Sequence, residues 1–153
     1  MWPKLTKQID VELEELHQLL ATHRPLLERC RSVPPSAIET SALAALLHSF
    51  YNGLENMFKR VAVEVDADPP LGDNWHRKLL DAMIAPTGLR PPVITPATHQ
   101  QLLDYLSFRH VFRHAYSFRL RWEKMAALVH DCEGVLRQVE AEIRAFLTRA
   151  HAT

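Results

Sequence analysis

Residues 109–116 read Arg-His-Val-Phe-Arg-His-Ala-Tyr. Two guanidinium groups, two imidazoles and a phenol fall within eight positions of a chain whose 18 basic and 18 acidic residues leave no formal net charge. Arg109 and Arg113 offer fixed positive charge and forked donors that match phosphate oxygens. His114 can exchange a proton near neutral pH, and Tyr116 adds a hydroxyl. Arg119 and Arg121 extend the basic run. Such a set suits cleavage of RNA without a metal. A base removes the 2′-hydroxyl proton, the oxygen attacks the adjacent phosphorus, and an Arg stabilises the charge that develops. Two other readings use the same residues. His110 and His114 are spaced i, i+4, which can hold a metal ion. Two ligands do not complete a site, however; no Cys pair or HExxH sequence joins them, and Arg109 and Arg113 would repel a cation. Arg109 could also be half of an internal ion pair at a helix seam, with Glu55 as a possible partner.

The elements that must position these groups are helical. Leu5, Ile9, Leu13, Leu16 and Leu20 recur at three- and four-residue spacing, predicting a first helix from Pro3 to about Arg31. Pro25 should kink it or split off its last turn. Ser36 and Glu39 form a capping box after Pro34-Pro35, and Leu43, Leu46, Leu47, Phe50, Leu54, Met57, Phe58 and Val61 carry a second helix to about Val65. A shorter helix spans about Asn74 to Ile84, with Asp73 as its cap. Thr95-Pro96 starts a fourth helix, cap followed by Pro at the first position, and that helix carries Arg109–Tyr116 near its end. The last helix begins around Arg121 or Trp122, and Gly134 within it costs about 1 kcal/mol relative to Ala. No segment alternates like a strand. The expectation is an all-α, up-and-down bundle of four main helices and one short one, forming a single domain over residues 1–153.

On a wheel of 100° per residue, Leu102, Leu106, Tyr105 and Phe112 all lie within about 60° of Arg109. Arg109 therefore points into the apolar arc of its own helix, where a guanidinium must be paired, face another subunit or line a cleft. Tyr116 shares that face if the helix continues, and His110 and His114 fall on its flank.

Composition narrows the class. Apolar residues make up 47% of the 153, enough for a real core, which excludes global disorder. The even charge balance argues against nonspecific coating of nucleic acid but leaves room for a local basic site. Two Cys, Cys30 and Cys132, do not make a secreted disulfide framework. No apolar run approaches the roughly 20 residues of a membrane span, and acidic residues stand where a signal peptide would be apolar. These features predict a cytoplasmic protein.

Arg109-x4-His114-x-Tyr116 resembles the RX4HXY signature of HEPN-domain ribonuclease toxins of the HepT type, in which a polar residue such as His110 commonly follows the Arg. The likeness extends to YNGLENMFKRVA (Tyr51 to Ala62), NWHRKLLDAM (Asn74 to Met83) and the stretch from Leu102 to Met125, and so covers most of the chain after residue 36. The resemblance implies a helical bundle that forms a homodimer, with the two motifs facing each other across a cleft. It further implies a metal-independent endoribonuclease that uses no cofactor and leaves a 2′,3′-cyclic phosphate. Arg109 would stabilise the transition state, His114 would serve as general acid and base, and His110 would support them. Arg113, which the signature does not require, would contact RNA. The partner would be an MNT-type nucleotidyltransferase antitoxin that silences the toxin by attaching AMP to Tyr116. Tyr51, Glu55, Trp75 and His76 lie in the matching segments, where core packing and helix surface explain them equally well. The alternative is a catalytically silent HEPN module that binds nucleotide or a partner protein.

Overall fold

The computed structural model describes residues 2–114 and 120–151. Among these residues five helices account for the fold: α1 (Pro3–Arg29), α2 (Ala37–Glu64), α3 (Trp75–Ala82), α4 (Pro96–His114) and α5 (Trp122–His151). No strand occurs among the described residues, and the fold is the expected all-α bundle. α2 packs against each of the other four helices and so forms the centre of the bundle. Every apolar position singled out on α2 from spacing alone is buried, as are Leu5, Ile9, Leu13, Leu16 and Leu20 on α1. These two helices approach closely: a Cβ on Gly53 would lie 2.5 Å from Leu16 Cδ2.

Helix ends follow local chemistry. Ser36 Oγ accepts from the Glu39 N–H at 3.1 Å while the Ser36 N–H donates to Glu39 Oε1 at 2.9 Å, completing the capping box. Pro25 does not split α1, which runs through it to Arg29. Pro25 and Ala21, whose carbonyl loses its helical partner to the proline ring, are both exposed, so water can satisfy the orphaned acceptor. The cap of α3 is Asn74 rather than Asp73. Its backbone is left-handed, with φ of 63°, a region that Asn enters more readily than most residues.

The loop between α3 and α4 is tied down by a buried arginine. Arg90 donates through Nε and Nη2 to the two carboxylate oxygens of Asp66 at 2.7 and 2.9 Å. Nη2 also reaches the Ala82 carbonyl, and Nη1 reaches those of Ala85 and Pro91, at 3.1 to 3.2 Å. Val93 and Ile94 then donate to the Met83 carbonyl and bury their side chains. This delivers the chain to Thr95, whose Oγ accepts from the Thr98 N–H at 3.3 Å at the start of α4. A second buried group fixes the same end: Glu142 of α5 accepts from the Thr95 N–H at 2.6 Å, from the Thr98 hydroxyl and from Gln138. Among the described residues no helix is long and apolar enough to cross a membrane.

Candidate active site

With its N-terminus held by Thr95 and Glu142, α4 presents its last turns at a seam formed with α2 and α3. Arg109 is half-buried there, as its place on the apolar arc requires. Its Nε donates to Asn52 Oδ1 at 3.0 Å, and its Nη1 stands 3.4 Å from His76 Nε2. His76 Nδ1 lies 2.7 Å from Glu55 Oε2, whose side chain is only 4% exposed. The predicted ion-pair partner of Arg109 is therefore near, but displaced. Glu55 pairs with His76, and the imidazole stands between carboxylate and guanidinium.

The ring of His76 is held on a face as well as at its edge. Trp75 stacks on it with centroids 3.6 Å apart, and the Lys59 ammonium lies 4.5 Å from the Trp75 ring. Asn52 is oriented too. While its oxygen serves Arg109, its Nδ2 lies 3.5 Å from Nδ1 of His48, whose ring packs 5.0 Å from Phe112. Burial, reinforced by the nearby charges of Arg109 and Arg113, pushes the His48 imidazolium down from its ordinary range, which favours the neutral ring. Tyr51 is buried beneath this cluster, and burial together with the Glu55 charge pushes its phenol well up. α3 is tied to α4 by His99, which lies 2.7 Å from Asp81.

The remaining motif residues face outward. His110, Arg113 and His114 are exposed, and the two imidazoles lie 4.6 Å apart, centre to centre. Five residues along an α-helix correspond to about 140° of rotation, so Arg109 and His114 point in different directions from one chain. The hydrogen bonds of Arg109 to described residues go to Asn52 and His76, not to His114. Among the described residues no group of three or more His, Cys, Asp or Glu could hold a metal ion. Tyr116 and Arg119, singled out from the sequence, lie outside the described residues. A groove of about 640 Å³ between α4 and α5 is lined by Phe108, Val111, Leu120 and Leu128, with Arg121 and Lys124 at its side. It takes in none of Arg109, His110, Arg113 and His114.

Asn52 and His48 were not legible as site residues. Asn52 sits 57 positions from Arg109, and only the packing of α2 on α4 joins them. The available signal was indirect: Asn52, Glu55 and His76 all lie within segments that share the family likeness. Comparison with known proteins agrees with that likeness. A family model described as HepT-like protein matches residues 42–150. No curated protein and no solved structure matches the chain.

Proposed function

Because the chain belongs to the HepT-like protein family, we propose that it is a ribonuclease toxin that cleaves RNA through Arg109 and His114. His114 takes the proton of the 2′-hydroxyl, the oxygen attacks phosphorus, and the 5′-oxygen of the next nucleotide leaves after protonation. The products are a 2′,3′-cyclic phosphate and a 5′-hydroxyl. Arg109 stabilises the negative charge that grows on the phosphoryl oxygens. One observation carries this reading. Arg109 is anchored by Asn52 and His76, with no carboxylate of the described residues in direct contact, so its charge stays available for an anion. Because Arg109 and His114 diverge on one helix, the working site takes groups from two copies of the chain, and the active unit is a homodimer. Arg113, exposed beside them, contacts the RNA backbone, and His110, also exposed, supports the catalytic pair.

Control falls to an MNT-type nucleotidyltransferase that attaches AMP to Tyr116. The chain has three Tyr, and two of them, Tyr51 and Tyr105, are buried to 1% and 3% exposure. Modification of either would require local unfolding. A nucleotide on Tyr116 sets a bulky anion two residues from His114 and competes for the groups that bind phosphate.

The test is incubation of purified, unmodified protein with RNA in excess EDTA, with analysis of the product ends. Cyclic phosphate ends that vanish in Arg109→Ala and His114→Ala support the reading. A 3′-hydroxyl product, or a strict need for a divalent ion, refutes it. Intact RNA throughout favours the binding-module alternative. Tyr116→Phe should keep cleavage and escape neutralisation.

A further inference from the structure

A guanidinium has five N–H groups and no acceptor. At the 3.4 Å approach of Arg109 Nη1 to His76 Nε2, the imidazole nitrogen must therefore be the acceptor. That requires its proton to sit on Nδ1, and the atom facing Nδ1 at 2.7 Å is a carboxylate oxygen of Glu55, an acceptor. One arrangement satisfies every atom: Glu55 accepts from Nδ1–H, and Nε2 accepts from Arg109. Either alternative fails at one end. With the proton on Nε2, two donors oppose each other and the carboxylate faces a lone pair. With both nitrogens protonated, Nε2–H opposes the guanidinium. We propose that Glu55 fixes His76 as its Nδ1–H tautomer, and that His76 is thereby a positioning residue for Arg109.

The arrangement explains why a buried acid sits one ring away from the arginine it was expected to pair with. Direct contact would let Glu55 take two guanidinium donors and cancel the charge an RNA phosphate needs. With the imidazole interposed, Glu55 still offsets the charge at a distance, while Arg109 is held only by neutral acceptors. Three elements contribute. α2 supplies Glu55 and Asn52, α3 supplies His76 with Trp75 stacked on it, and α4 supplies Arg109. Asn52 on Nε and His76 on Nη1 grip two edges of the guanidinium and so fix its plane.

The catalytic half of this inference rests on the ribonuclease reading; the geometric half does not, and two measurements separate them. The first is nitrogen-15 NMR of the full chain, with the His76 signals assigned by their loss in His76→Gln. A pyrrole-type Nδ1 and a pyridine-type Nε2 are expected, with that preference lost in Glu55→Gln. The Arg109 Nη1–H resonances, which His76 accepts from, should be slow to exchange at low temperature and should become fast in His76→Ala. A pyrrole-type Nε2, or an Arg109 signal unmoved by His76→Ala, overturns the proposal whether or not the protein cleaves RNA. The second measurement is steady-state cleavage. His76→Ala should lower kcat about 10- to 100-fold, the scale expected for a misplaced catalytic group, with KM changed much less. His76→Gln, whose carbonyl can accept from the guanidinium, should recover part of the loss. Adding His76→Ala to Arg109→Ala should cost nothing further. Full activity in His76→Ala, or additive losses in the double variant, refutes the positioning role. If the NMR signature is present and no RNA is cut, the ribonuclease reading fails and the geometric assignment stands.

Discussion

Two arginines, Arg90 and Arg109, show how the same side chain is used to opposite ends. Arg90 has a fully buried side chain and gives all five N–H groups to the protein: two to Asp66 and three to backbone carbonyls. Its charge is cancelled by a bidentate carboxylate and its donors are saturated, so it can do nothing but hold a loop. Arg109 is half-exposed and makes two hydrogen bonds to described residues, both to neutral groups. Glu55, the acid expected to pair with it, is bonded to His76 instead. Chemical availability is therefore visible in what a cation's partners leave unused, and burial alone does not separate the two roles.

The sharpest way to break that contrast is to remove Arg90. Arg90→Ala should destabilise the fold by about 3 to 5 kcal/mol, because Asp66 and three carbonyls lose their partner inside the protein. Thermal unfolding should shift by on the order of 10 °C, while cleavage per folded molecule stays unchanged. Arg109→Ala should invert the pattern. Stability should fall by only about 1 kcal/mol, since two hydrogen bonds to neutral partners are lost at a half-exposed position. Cleavage should fall by about 10² to 10³, the usual cost of removing a donor to a developing oxyanion. If the two variants lose stability equally, the distinction between saturated and available arginines collapses.

A smaller effect sharpens the comparison from the anionic side. Glu142 resembles Arg90 in being saturated. Although burial pushes its carboxyl up, the hydrogen bonds from Thr98, the Thr95 N–H and Gln138 outweigh it and hold the group below its usual range. A depressed folded value means that the stabilisation is present above the unfolded carboxylate pKa and is lost as pH falls through the folded one. Acid unfolding below about pH 4 should therefore be less steep in Glu142→Gln than in the parent. Equal steepness would show that these hydrogen bonds do not favour the ionised form. Smaller again is Gly134→Ala. This exposed helical position has only Arg137 Nη2, 3.9 Å from the new methyl, so stability should rise by about 0.5 to 1 kcal/mol, read from denaturant midpoints.

The sequence carried whatever depends on neighbours along the chain. Ser36 and Glu39 are three residues apart, and Thr95 and Pro96 adjoin, so both helix starts could be read directly. The inward aim of Arg109 followed from the period of its own helix. What could not be read depends on contacts between helices. Glu55 was a reasonable partner for Arg109 by charge, but nothing local says that α3 would place an imidazole between them. Asn52 has the composition of an ordinary helix-surface residue until α4 lies against it. Arg90, in a Pro-rich loop, gave no sign of burial, because its acid lies 24 positions away. Asn74 rather than Asp73 stands at the cap, with a left-handed backbone and no side-chain cap bond, so the side-chain chemistry that pointed to Asp73 does not set this helix start.

Gly53 and Leu16 mark a place where distant parts of the chain are bound to change together. With no side chain at 53, Leu16 of α1 presses against the backbone of α2, and any Cβ there would collide with it. The next residue back is Asn52, which grips Arg109. A lineage that acquires a larger residue at 53 must shrink residue 16 or let the two helices part, and parting them carries Asn52 away from the guanidinium. α1 contributes none of the groups shown to hydrogen-bond Arg109, yet its history is written against theirs. Positions 16 and 53 should drift as a pair, and the pair sets how far the first helix can diverge before the site registers it.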